Sequence, residues 1–268
     1  AAGSDAAATI AFAAGANTVD LEAALAGGTL TVTAAGSATT DSLTINNLGG
    51  TSSAGISAIG NQSLTLTGIE TLTYDSTGAT GSKAATQLIN AIDLSGVSTG
   101  GTATVNFTGS NAITLKASTG IISAEVVDAS ALTGALTMNV AMESTAASTG
   151  SATLTGGSKA DTLKGDTGEA TTINGGAGND NITGGSAADT INGGAGNDTI
   201  NASTGKDVIN GGDGKDIINL GAAAQTIDGG AGDDTVITGT ALAYGQSIKG
   251  GEGTDILSIT QQAASSAA

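Results

Sequence analysis

The residues of this chain that could do chemistry are aspartates on a fixed period. Asp180, Asp198, Asp216 and Asp234 lie 18 residues apart, each at the sixth position of a nine-residue block: GGAGNDNIT from Gly175, GGAGNDTIN from Gly193, GGDGKDIIN from Gly211 and GGAGDDTVI from Gly229. A fifth block, GGEGTDILS from Gly250, carries Asp255 after a longer gap. Weaker nonamers fill the intervals: GGSAADTIN from Gly184 with Asp189, ASTGKDVIN from Ala202 with Asp207, and LGAAAQTID from Leu220 with Gln225 at the aspartate position. Upstream, SATLTGGSKADTLKG from Ser151 holds Asp161 in a degenerate copy. With 24 acids, seven basic residues and a net charge of −17, the natural partner of such a file of carboxylates is a cation.

The blocks also specify the backbone that must position these acids. Glycine reaches positive φ and tolerates close backbone approach, so the opening positions read as a tight turn. These are Gly175, Gly176, Ala177 and Gly178; Gly193, Gly194, Ala195 and Gly196; Gly211, Gly212, Asp213 and Gly214; Gly229, Gly230, Ala231 and Gly232; and Gly250, Gly251 and Gly253. The last three residues of each block, such as Asn-Ile-Thr or Thr-Ile-Asn, predict a short strand whose middle residue points inward. Self-similarity at a fixed period means a solenoid. Two turns and two strands make one 18-residue coil, and coils stack at roughly 4.8 Å. The turns from Gly175, Gly193, Gly211 and Gly229 then share one edge and align Asp180, Asp198, Asp216 and Asp234 in a ladder. Asp189 and Asp207 fall on the opposite edge, where Gln225 interrupts the file.

The pattern Gly-Gly-x-Gly-x-Asp-x-apolar-x resembles the RTX nonapeptide repeat. That resemblance implies a parallel β-roll in which Ca²⁺ lies between turns of successive coils, taking aspartate oxygens from two turns and completing its shell with backbone carbonyls. Hard oxygen ligands and glycine-rich backbone suit Ca²⁺. The implied metal residues are the aspartates and turn positions named above, with the second edge the weaker, since Ala187 replaces a glycine and Ala202-Ser203 replace the opening pair. The resemblance also implies export through a type I channel. The opening AAGSDAAA reads as a processed or trimmed end, and the closing QQAASSAA carries no recognisable signal.

Composition narrows the rest. The 268 residues include 44 Gly and no Cys, Pro, Trp or His, and all seven basic residues are Lys. Phe12, Tyr74, Phe107 and Tyr244 are the only aromatics, so the core must be stacked Val, Ile, Leu and Ala. Scarce lysine argues against nucleic acid and against anionic membrane surfaces. No stretch approaches the ~20 apolar residues of a membrane span. Without disulfides, calcium would be the staple of an exported protein.

From residue 1 to about 150 the signal is period-two alternation: TLTVT, SLTIN, SLTLT, ATVNF, AITLK and ALTMNV. Such alternation predicts strands with one buried face, and Thr in the outward positions suits them. Two segments read as short helices: TVDLEAALAGG from Thr18, stopped by Gly27 and Gly28, and SKAATQLINAI from Ser82, with Ala85, Leu88, Ile89 and Ile92 on one face. The expected architecture is all-β, a right-handed parallel β-solenoid or β-helix over residues 1–150 running without a linker into an RTX β-roll over 151–258, followed by a tail at 259–268.

Enzyme chemistry has few candidates. Absence of His and Cys removes Ser-His-Asp triads, Cys-His pairs and HExxH zinc sites. Carboxylate-pair glycoside hydrolysis would have to draw on Glu22, Glu70, Glu125, Glu143 and the N-terminal aspartates, which are read here as solvated surface acids. The Ala, Thr, Gly and Ser-rich first half joined to the repeats resembles the surface-layer proteins of Gram-negative bacteria. That implies a non-enzymatic, self-assembling, calcium-dependent lattice or tube at the cell surface, with itself as partner and cell-surface polysaccharide as a second one. The alternatives are an RTX adhesin binding glycan or ice, for which the Thr-x-Thr pairs recur at no fixed spacing, and the secretion module of a larger protein.

Overall fold

A computed structural model describes residues 8–13, 15–21, 29–35, 41–47, 62–77, 87–94, 102–115, 122–139, 142–143, 151–239 and 242–259. Among them every helix or strand element is a strand, and the strands pair in parallel in two sheets, one of 14 strands and one of 11. With few exceptions, the chain alternates between the sheets, adding one strand to each per coil. This is the parallel β-solenoid that the repeat period demands. Pairing continues across residue 150, because the strand Ala152–Thr155 lies between Val126–Asp128 and Thr171–Ala177.

Period-two alternation builds the core directly, since every second side chain of a strand points between the sheets. One inward row of the 11-stranded sheet runs Leu43, Leu72, Val105, Val127, Leu154, Ile173, Ile191, Ile209, Ile227, Ile248. All but Ile248 are buried. Facing it in the 14-stranded sheet are Leu163, Ile182, Ile200, Ile218 and Val236. Tyr74 and Phe107 occupy a parallel inward row and meet edge to face at 6.4 Å between centroids.

Both helical expectations are corrected. Ala16–Leu21 is a strand that pairs Thr18 with Thr44 and Val19 with Ile45. Gln87–Asp93 is a strand that pairs Leu88 with Thr114 and Ile89 with Leu115. Isolated helices of this length are marginal. Each coil of a solenoid offers the next segment a row of open backbone donors and acceptors, and that pairing outweighs local propensity. Gly27, Gly28, Ser82 and Ala85, which framed those helices, lie outside the described residues.

Two further expectations change. The opening Gly-Gly-x of the strong blocks is not all turn: strands such as Thr171–Ala177 and Thr190–Ala195 run through it, and Gly176 pairs with Gly194. Positive φ at Gly176 and Gly194, 104° and 111°, bends the backbone without ending the pairing. Of the Thr-x-Thr pairs, irregular along the chain, one comes into register with another in space, Thr31 opposite Thr65 and Thr33 opposite Thr67, while Thr71 and Thr73 lie in the other sheet opposite Thr104 and Asn106. Connections of unequal length absorb the irregular spacing.

Candidate metal centre

Each repeat aspartate is the residue immediately before a strand, where the chain turns into a sheet. Asp161, Asp180, Asp198, Asp216, Asp234 and Asp255 precede the strands of the 14-stranded sheet from Thr162–Lys164 to Ile256–Ile259. Stacking places them in one file. The Oδ1 of each accepts the backbone N–H of the preceding coil's counterpart: Asp161 to Asp180 at 2.8 Å, Asp180 to Asp198 at 2.8 Å, Asp198 to Asp216 at 2.8 Å, Asp216 to Asp234 at 2.9 Å and Asp234 to Asp255 at 3.0 Å. Asp161 in turn accepts from Leu136 N–H.

The other oxygen separates the two edges. Oδ2 of Asp180, Asp198, Asp216 and Asp234 is buried and has no hydrogen-bond partner. On the opposite edge Asp189 and Asp207 precede strands of the 11-stranded sheet, and their ladder has the same form, Thr171 N–H to Asp189 and Asp189 N–H to Asp207. There the second oxygens are engaged: Asp189 Oδ2 accepts Gly185 N–H at 2.6 Å, and Asp207 Oδ2 accepts the Gln225 amide at 2.8 Å. Asp161, at the degenerate start of the first file, likewise spends Oδ2 on Gly157 N–H.

Beside each orphaned oxygen is a cradle that only glycine leaves open. A Cβ on Gly175 would stand 2.1 Å from the Gly193 carbonyl oxygen and 2.6 Å from Asp180 Oδ2. On Gly193 it would meet Gly211 O at 2.3 Å and Asp198 Oδ2 at 2.4 Å, and Gly211 and Gly229 repeat the arrangement with Asp216 and Asp234. A carboxylate oxygen and the next coil's carbonyl oxygen therefore lie close to the same glycine, coil after coil, and that carboxylate oxygen has no donor. Such hard oxygens suit calcium, which takes about six to eight of them.

Electrostatics points the same way. Burial, set against the backbone hydrogen bond and reinforced by the neighbouring ladder carboxylates, pushes Asp198 from 3.8 up to about 7. Asp180 and Asp216 rise to about 6 for the same reasons, and Asp161, Asp189, Asp207 and Asp234 are raised, in each case by burial first. A stack of buried carboxylates resists ionisation, and an inserted cation removes that resistance. Among the described residues no three acidic side chains converge on one point, so the arrangement is a ladder of pairs.

The other residues expected at the site differ in their surroundings. Asp255 closes the ladder but is exposed. The Asp213 side chain faces outward into a shallow groove with Asp228, Lys249 and Glu252, while its carbonyl accepts Gly196 N–H. The carbonyls of Ala195 and Ala231 are engaged in the same way by Gly178 and Gly214.

The second edge holds acids that the repeat pattern did not reveal. Strand register aligns Asp41, Glu70, Ala103, Glu125, Ala152, Thr171, Asp189, Asp207 and Gln225 in one row; Ala152 and Thr171 open strands of the 11-stranded sheet and the others stand just before one. Asp41, Glu70 and Glu125 are buried, which corrects the reading of the N-terminal acids as solvated. Glu70 accepts Asp41 N–H at 2.7 Å and Glu125 accepts Ala103 N–H at 2.6 Å, the bonding of the repeat ladder. One cue was present in the sequence: Asp41 and Glu70 each precede an alternating segment, in DSLTIN and ETLTYD. Glu22 lies outside the described residues.

Residues 147–169, 167–200, 193–224 and 226–240 match the family of the RTX calcium-binding nonapeptide repeat, in four copies. The chain thus ends its β-solenoid in RTX repeats, and calcium is the cation such repeats bind. The block from Gly250 lies beyond the matched residues. No curated protein and no solved structure matches the chain.

Proposed function

We propose that this chain is a calcium-dependent, extracellular structural protein, a non-enzymatic subunit of a surface lattice exported by a type I route. The observation that carries the proposal is the ladder of buried, unpartnered carboxylate oxygens at Asp180, Asp198, Asp216 and Asp234. On the outer faces of the same repeats Val208 is 51% exposed and Ile217 42%. Exposed apolar side chains invite contact with another chain.

Charge makes that contact conditional. Copies that each carry −17 repel one another until cations neutralise them. Calcium in the ladder would remove charge where the aspartates are densest, and ordinary salt would screen without coordinating. The test is dialysis into EDTA, return of either millimolar calcium or NaCl of matched ionic strength, and electron microscopy of both. Ordered sheets or tubes in calcium alone are expected. Assemblies that persist in EDTA, or form equally in NaCl, refute the reading.

A second reading, an adhesin for glycan or ice, is favoured by two observations. Thr residues align across coils in the first half, and a groove of about 440 Å³ opens over Asn210, Asp228 and Lys249. Discrete monomers that bind a polysaccharide in calcium would support it.

A further inference from the structure

We propose that Asp41 and Glu70, in adjacent coils far from the nonapeptide repeats, together hold a divalent cation, calcium in an extracellular medium. The inference rests on the calcium reading of the repeats and extends it to a part of the chain with no repeat pattern.

Asp41 is 1% exposed. Its Oδ1 accepts the Gly15 N–H of the preceding coil, and its Oδ2 is buried without any hydrogen-bond partner. Among the acids of the second-edge row it alone shares the orphaned oxygen of Asp180, Asp198, Asp216 and Asp234; Asp189 and Asp207 have theirs satisfied. Asp41 thus sits on one edge of the solenoid but is bonded like the ladder of the other.

Glu70 is its neighbour in the next coil and is 5% exposed. It turns Oε2 to the Asp41 N–H at 2.7 Å, while the Asp41 carbonyl accepts Glu70 N–H at 2.9 Å and Thr71 N–H at 3.2 Å. These bonds set the two carboxylates one coil apart. A buried carboxylate oxygen left without a donor is costly unless it meets positive charge. The chain has no arginine or histidine and no lysine before Lys83. A hard divalent cation supplies that charge, and two carboxylates with backbone oxygens are the ligands it prefers.

The experiment counts calcium bound per full chain by equilibrium dialysis against radioactive calcium, for the unaltered protein and for Asp41→Asn, Glu70→Gln and Asp198→Asn. Each amide keeps the oxygen that accepts a backbone N–H, so the hydrogen-bond ladder survives. Asp41→Asn and Glu70→Gln should each bind one calcium fewer and show unchanged circular dichroism in calcium. Glu70→Gln leaves Asp41 in place and gives the same readout should Asp41→Asn fail to fold. Unchanged stoichiometry in the foldable variants overturns the inference. If Asp198→Asn loses calcium and the other two do not, this site falls and the repeat reading stands. If Asp198→Asn loses none, the calcium reading itself falls, and this inference with it.

Discussion

Replacing Asp198 by Asn should change the sign of its effect on stability with calcium. In excess EDTA at mildly alkaline pH the native carboxylate is ionised, 1% exposed, and flanked by Asp180 and Asp216. Burial, opposed by the bond from Asp180 N–H and reinforced by those two charges, holds its pKa at about 7 instead of 3.8. One pKa unit is worth about 1.36 kcal/mol, so the unscreened cost would be about 4 kcal/mol. Solvent screening discounts this by about half, to about 2 kcal/mol. The amide escapes that cost. It keeps Oδ1 for Asp180 N–H, and its NH₂ faces the Gly211 carbonyl, which crowds the same space over Gly193.

In calcium the balance inverts. Asp198 has like turns above and below and so should serve up to two ions. Each site held at about 100 times its dissociation constant contributes about 2.7 kcal/mol. Subtracting the gain of about 2 kcal/mol leaves the variant about 1 to 3 kcal/mol less stable than the unaltered chain. Far-UV circular dichroism and thermal melting, followed along a calcium titration from EDTA, read both limbs. More β structure than the unaltered chain in EDTA and a lower melting temperature in calcium are expected. A loss of stability on both limbs would make Asp198 a plain hydrogen-bond acceptor and refute the argument.

The raised carboxylates set the pH response. A carboxyl whose folded pKa lies above its unfolded value binds more protons when folded, so the calcium-free chain loses stability as pH rises from about 4 towards 7 and should melt highest near the acid end. Calcium affinity should weaken over the same window as pH falls, which isothermal titration at two pH values checks; a flat profile would count against a buried ladder. Gly193→Ala should abolish its cation sites and destabilise by about 2 kcal/mol or more, because its Cβ collides with Gly211 O and Asp198 Oδ2, whereas Gly168→Ala, whose Cβ would meet nothing nearer than 3.9 Å, should change calcium binding little. Equal effects in matched titrations would show that the cradle is not the site.

What the sequence alone determined is whatever repeats along the chain. The 18-residue recurrence put Asp180, Asp198, Asp216 and Asp234 on one edge, and Leu or Ile at every second strand position chose the inward face, because both periods are local properties of backbone geometry. Tertiary structure decided what depends on register between coils. Thr18 to Leu21 and Gln87 to Ile92 became strands because neighbouring coils supplied an open edge to pair with, an interaction no local propensity contains. Connections of different length hid the row that joins Asp41 and Glu70 to Asp189 and Asp207, since equivalent positions stand 29 residues apart in one place and 18 in another. Only stacking also showed which carboxylate oxygens are answered by a donor and which are not. Asp189 and Asp198 occupy the same position of nearly the same nonamer, yet Gly185 N–H satisfies one and nothing satisfies the other, because an orphaned oxygen is a property of the atoms around it in space.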